Sequence, residues 1–195
     1  MSMSKRNLFL TLGAVAAGQL LFLSWMVWER VSLLKHGREI VLPVQPLDPR
    51  DMFRGDYVIL GYPISTINHL IANDGPLLED FRGGGNIYVT MTPDAGTGWK
   101  MTAKSAAYPA TVAPSDVVLK GRIENMWGGT DTGGFTLAAR YGIENYFVPE
   151  GTGAALEQQV RDKKIEAVIA VGSNGKAAIK ALIVDGKRIH EQPAL

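Results

Sequence analysis

The chain has 195 residues, 46% of them hydrophobic, with 20 Lys+Arg against 19 Asp+Glu and no cysteine. This near-neutral balance, with no basic block, leaves no electrostatic footprint for nucleic acid and excludes that class of partner. The lack of cysteine excludes a disulfide framework and thiol chemistry, and is compatible with an oxidising compartment.

The first predicted element is a membrane helix. Twenty-one uncharged residues, Leu8 to Trp28, follow Lys5 and Arg6. As a helix they rise about 31 Å at about 1.5 Å per residue, against roughly 30 Å of bilayer hydrocarbon. Ala14-Val15-Ala16 has the small residues of a cleavage site, but it comes early, and the apolar run continues through Leu20, Leu21, Phe22, Leu23, Trp25 and Met26. A retained anchor is therefore expected rather than a processed signal. Trp25 and Trp28 suit the headgroup level, and Glu29-Arg30 mark the return to water. Positive residues flank both ends, but the stub carrying Lys5 and Arg6 has no acid, so the expected orientation is N-terminus inside. The expected layout is a cytoplasmic stub (1–7), an anchor (8–28), a juxtamembrane segment (29–38) and one domain (39–195). That domain falls on the periplasmic or extracytoplasmic side of a cytoplasmic membrane.

Beyond the anchor the pattern is mostly short strands. Glu39–Val44 is the first, followed by a polar turn at Asp48-Pro49-Arg50-Asp51. Tyr57–Tyr62 alternates as a strand with both faces partly buried. A short helix is predicted over Ser65–Ala72, with Ile67, Leu70 and Ile71 as its apolar stripe. After Gly83-Gly84-Gly85, strands are predicted at Asn86–Thr92, Trp99–Ala107, Val117–Asn125 and Gly134–Arg140. Gly151-Thr152-Gly153 opens a helix over Ala154–Lys163. Ile165–Val171 and Lys176–Val184 flank Asn174-Gly175, the signal for an antiparallel hairpin with a type I′ turn. The fold class is thus a single N-terminal transmembrane helix plus a mainly-β (α+β) antiparallel domain, barrel-like or sandwich, with one or two short helices.

Two stretches stand out. Gly55-Asp56-Tyr57-Val58-Ile59-Leu60-Gly61-Tyr62 spells G-D-Y-x-x-L-x-Y, and Tyr146-Phe147 leads into Glu150-Gly151-Thr152-Gly153 as Y-F-x-x-E-G-x-G. Together they resemble the two motifs of the GDYXXLXY family of bacterial membrane-anchored proteins, and the resemblance runs over essentially the whole chain. It implies an envelope protein encoded beside polytopic membrane proteins. It brings no reaction with it.

The residues themselves admit two readings. Asp48, Arg50, Asp51, Arg54 and Asp56 place five charges just before a buried strand, and Arg140, Tyr141, Glu144 and Glu150 surround the second motif. In the structural reading, Arg–carboxylate pairs tie turns to strands, Gly55 permits positive φ, and the tyrosines bury their rings and bond their hydroxyls. In the ligand reading, the motifs join in one pocket, with Arg50 or Arg54 binding an anion and Tyr57, Tyr62 and Tyr146 as walls.

Metal and catalytic readings have less behind them. Asp48, Asp51, Glu144 and Glu150 are oxygen donors, but no calcium loop is present and arginines crowd them. His36, His69 and His190 lack ligand spacing, so no metal and no cofactor is expected. One membrane segment before a β-rich domain also resembles the layout of signal peptidases. Ser32 with Lys35, or Ser105 with Lys100 or Lys104, supplies the residue types of a Ser–Lys pair without the flanking motif. No G-x-S-x-G, P-loop or dinucleotide fingerprint is present either. The expected role is a non-catalytic interaction module in the lipid bilayer beside a polytopic membrane protein. Gly13, Ala14, Ala16, Ala17 and Gly18 would give that partner a small-residue helix surface. The alternative is a ligand-binding domain or envelope hydrolase using the joined-motif pocket.

Overall fold

The structure, a computed structural model, describes residues 5–45, 57–70, 81, 84–94, 98–129, 134–147 and 165–189. Helix α1 (Lys5–His36) is one unbroken helix of 32 residues. Its Phe9–His36 stretch is long and apolar enough to cross a membrane, and its large side chains from Phe9 to Trp28 are exposed. Consecutive apolar residues such as Leu20, Leu21, Phe22 and Leu23 leave the helix no polar face, as a lipid-embedded segment requires. At about 1.5 Å per residue α1 is about 48 Å long, so it outreaches the roughly 30 Å hydrocarbon core. The segment after Trp28 therefore continues as helix for about two turns.

The β-rich part holds β1 (Arg38–Pro43), β2 (Tyr57–Ile59), β3 (Thr66–Leu70), β4 (Gly85–Asp94), β5 (Gly98–Ser105), β6 (Val117–Gly129), β7 (Gly134–Arg140), β8 (Asn145–Phe147), β9 (Ile165–Val171), β10 (Ala177–Val184) and β11 (Lys187–Ile189). These form three antiparallel sheets, ordered β1-β9-β10-β11, β2-β8 and β3-β7-β6-β4-β5. Inward residues of the two larger sheets, among them Ile40, Ile87, Leu119, Leu137, Ile169 and Leu182, make one shared core. The five-stranded sheet curls into a half-barrel, and Lys104 Nζ on β5 reaches across it to donate to the Asn68 carbonyl on β3 at 2.8 Å. That curl gives the barrel-like outline expected from the strand pattern.

Three bulges shape these sheets. On β6, Glu124 is the extra residue between Ile123 and Asn125, and on β10 Lys180 is the extra residue between Ile179 and Ala181. Thr102 is the third, on β5. Each bulge flips the alternation, so core residues run Leu119, Ile123 and then Met126 on β6, and Ile179 and then Leu182 on β10. The two charged extra residues leave the ladder for ion pairs: Glu124 with Arg140 at 3.0 Å, and Lys180 with Glu39 at 2.6 Å.

Several sequence expectations change. The predicted helix at Ser65–Ala72 is instead a 3-10 turn (Pro63–Ser65) followed by β3, within the described residues. β-branched Thr66 and Ile67 fit a pleated surface, and pairing with β7 outweighs a helical stripe that Ile67 and Leu70 only imitate. The strand predicted to Tyr62 stops at Ile59, and Gly61 instead bridges to Gln45. The Asn174-Gly175 hairpin is present, but its turn is not type I′. Only Gly175 has positive φ, at 82°, and Gly175 N donates to the Gly172 carbonyl at 3.0 Å. Ser173, Asn174 and Gly175 thus form a three-residue loop with the glycine in the left-handed position. A side chain at Gly175 would meet Lys120, whose amide donates to the Gly175 carbonyl at 2.9 Å, so the loop tip docks on β6. The predicted helix at Ala154–Lys163 and the turn at Asp48–Asp51 lie outside the described residues.

The end of α1 is fitted to this hairpin. Gly37 closes the helix, its amide donating to the Leu33 carbonyl at 2.8 Å. A Cβ at Gly37 would collide with that carbonyl and lie 3.1 Å from Ala170 Cβ, so only glycine permits the close passage of helix end and β9. Leu34 is buried, and Lys176 Nζ meets Glu29 Oε1 at 2.5 Å. Arg38 then donates to the carbonyls of Pro114 and Ser115 at 2.5 and 2.7 Å and lies over the Trp99 ring.

Candidate functional site

The described parts of the two motifs converge on one edge of the core. β2 pairs with β8 so that Val58 opposes Tyr146, and Leu60 N donates to the Glu144 carbonyl at 2.7 Å. The tyrosines complete the joint. Tyr62 Oη donates to the Ile143 carbonyl at 2.9 Å, and Tyr141 Oη donates to the Ile64 carbonyl at 2.9 Å. Each phenol thus crosses to the backbone beside the other, and the side chains of Leu60, Tyr62, Tyr141 and Tyr146 are buried. Burial raises the pKa of the Tyr62 and Tyr141 phenols, with the Glu144 charge adding to the shift, and burial pushes Tyr146 up to about 12. All three stay protonated at neutral pH.

Glu144 is turned inward on its own loop. Its carboxylate accepts the amides of Tyr141 at 2.6 Å and Gly142 at 2.9 Å, and Gly142 has positive φ, at 77°. Gly121 provides the space for the latch. A Cβ there would stand 2.9 Å from the Tyr141 ring, so this glycine in the middle of β6 is needed for close packing. Arg140 borders the same edge but pairs with Glu124, not Glu144.

Between these parts lies a cavity of about 290 Å³, bordered by Leu60, Tyr62, Ser65, Glu124, Arg140 and Glu144. Ser65 Oγ is buried there with no hydrogen-bond partner among the described residues. Arg50, Asp51, Arg54, Gly55, Asp56, Glu150, Gly151 and Gly153 lie outside the described residues, and Tyr57 and Phe147 are described in backbone only. The residues brought together are therefore Leu60, Tyr62, Arg140, Tyr141, Glu144 and Tyr146. Sequence reasoning missed Gly121, Glu124 and Ser65. A glycine inside a strand pattern was the available signal for Gly121. Neither a bulge nor an unpaired hydroxyl has a sequence signature.

Other candidates do not assemble. Lys104 bonds to the Asn68 carbonyl and Ser105 Oγ to the Ala107 carbonyl at 2.5 Å, so these neighbours form no dyad. No group of three or more His, Cys, Asp or Glu residues that could hold a metal ion occurs among the described residues.

Fold and site together define a β-rich domain, latched by buried tyrosines, on a helix long and apolar enough to span a membrane. The chain belongs to the GDYXXLXY family, whose model matches residues 19–182. No curated protein and no solved structure matches the chain.

Proposed function

We propose that this chain is a single-pass, non-catalytic module of the bacterial envelope, with its N-terminus in the cytoplasm and its β domain on the extracytoplasmic side. It associates with a polytopic membrane protein. The observation that carries this reading is that the described polar groups at the joint are engaged with backbone: Tyr62 and Tyr141 bond carbonyls across it, and Glu144 accepts two amides of its own loop. Groups held in this way build a surface rather than attack a substrate. Lys5 and Arg6, without an acid before the apolar run, support the orientation. The helix supports the partner: a Cβ at Gly13 or Gly18 would meet nothing within 4 Å, so another helix has room to approach. Ala14→Leu or Gly18→Leu is expected to abolish co-purification with a membrane protein in mild detergent while the chain stays in the membrane. An unchanged complex would remove the helix contact.

A second reading, a ligand-binding domain, is favoured by the buried Ser65 Oγ in the cavity between the motifs. Glu144→Ala separates the two. A structural Glu144 leaves two amides without an acceptor and lowers stability by about 1–3 kcal/mol in thermal unfolding. Loss of function at unchanged stability would favour the ligand.

A further inference from the structure

A second cavity, of about 220 Å³, lies where α1 meets the sheet, and its lining includes Met26, Glu29, Arg30, Leu33, Lys120 and Lys176. Three cations share it with one carboxylate, which leaves an excess of positive charge. Glu29 is paired with Lys176, and Lys120 Nζ lies 5.9 Å from the centre of the Tyr88 ring. Arg30 makes no hydrogen bond or ion pair with any described residue. The lining also changes character along the helix. Met26 belongs to the uncharged run, Trp28 ends it, and Arg30 stands one turn beyond Met26.

That sequence of surfaces matches the layers of a phospholipid at the depth where the helix leaves the hydrocarbon. Met26 lies about one turn to the hydrocarbon side of Arg30, where acyl carbon would reach, and Arg30, Lys120 and Lys176 line the cavity at the level where a phosphate would sit. Arginine is suited to the task because its guanidinium fork can give two parallel hydrogen bonds to one phosphate. We infer that this cavity binds the headgroup of one anionic glycerophospholipid and so fixes the domain against the membrane surface. The inference rests on α1 crossing the membrane, and it is independent of any protein partner. A free phosphate would satisfy the cations but leave Met26 uncovered.

The test uses the full chain purified in mild detergent and titrated with dioleoylphosphatidylglycerol or dioleoylphosphatidylcholine, with bound lipid counted by native mass spectrometry. One phosphatidylglycerol per chain is expected, preferred about tenfold over phosphatidylcholine. Arg30→Gln should weaken it about tenfold, the loss of one charge-assisted bond, at an unchanged melting temperature. Lys120→Gln provides a second variant on a different element. Equal retention of the two lipids, or undiminished phosphatidylglycerol binding when both variants are combined, would overturn the site. Displacement by excess inorganic phosphate would overturn the lipid in favour of a soluble anion. Flotation with phosphatidylcholine vesicles reads the anchor alone. A chain that floats without lipid preference loses only the site, and one that fails to float loses the anchor and the site together.

Discussion

At the latch between the motifs, the two tyrosine hydroxyls are buried and directed at backbone; at the junction of α1 with the β9–β10 hairpin, the ion pair runs between partly exposed side chains. Tyr62 and Tyr141 reach carbonyls 81 and 77 residues away in sequence through buried hydroxyls. Glu29 and Lys176 meet through side chains about half exposed, and the fit there comes from Gly37 and Gly172, which let helix and strand close in. The latch uses chemistry to hold shape, and the junction uses shape to leave chemistry free. Leu60 and Tyr62, the first motif's named residues with described side chains, are thus held in the core, while Arg30, with no hydrogen bond or ion pair to any described residue, stands at the junction, outside both motifs.

The largest test of this contrast is at the latch. Tyr62→Ala is expected to cost about 3–5 kcal/mol in denaturant unfolding, as for other buried rings. Tyr62→Phe and Tyr141→Phe should cost about 1–2 kcal/mol each, because each leaves a buried carbonyl unpaired. The double phenylalanine variant should fall short of the sum if the two hydroxyls hold one joint, and full additivity would separate them. At the junction, Gly37→Ala should cost about 1–3 kcal/mol by forcing helix and β9 apart. It should also free the Lys176–Glu29 pair, which a tryptophan fluorescence change at Trp28 would report. An unchanged melting temperature would show that the close approach is dispensable.

The smallest effect separates exposed charge from buried contact. Glu39 bonds Lys180 at 2.6 Å and Arg188 at 3.2 Å, and its carboxyl is held below the usual range, first by the Lys180 hydrogen bond. A lowered folded pKa means stability that is fully present above the unfolded value of about 4.3 and lost as pH falls through the folded one. These groups are partly exposed, so Glu39→Gln should cost under about 1 kcal/mol at neutral pH. The difference between wild type and variant should shrink on acidification below about pH 4. A constant difference across that range would assign the effect to packing.

What could be read in the sequence follows the range of the forces involved. β7 and β9 were legible to the residue, because alternation in Gly134–Arg140 and a continuous apolar run in Ile165–Val171 report burial locally. The hairpin was legible from Asn174-Gly175, but its turn type was set by docking on Lys120, a long-range contact. β3 was misread because Ile67 and Leu70 fall at a helical spacing, and only its partner β7 decides otherwise. At the candidate site, the motif pattern announced that tyrosines would bury their rings, as Tyr62, Tyr141 and Tyr146 do. It did not announce that Arg140 would turn to the bulged Glu124, since a bulge is decided by the neighbouring strand.

The unbroken course of α1 from Lys5 to His36 has one further consequence. A rod without a hinge cannot lean at one end alone. With α1 across a bilayer, a change of thickness that altered its inclination would swing the β body with it. A few degrees at the lipid would then become a lateral sweep at the far rim, and membrane thickness would be translated into domain pose.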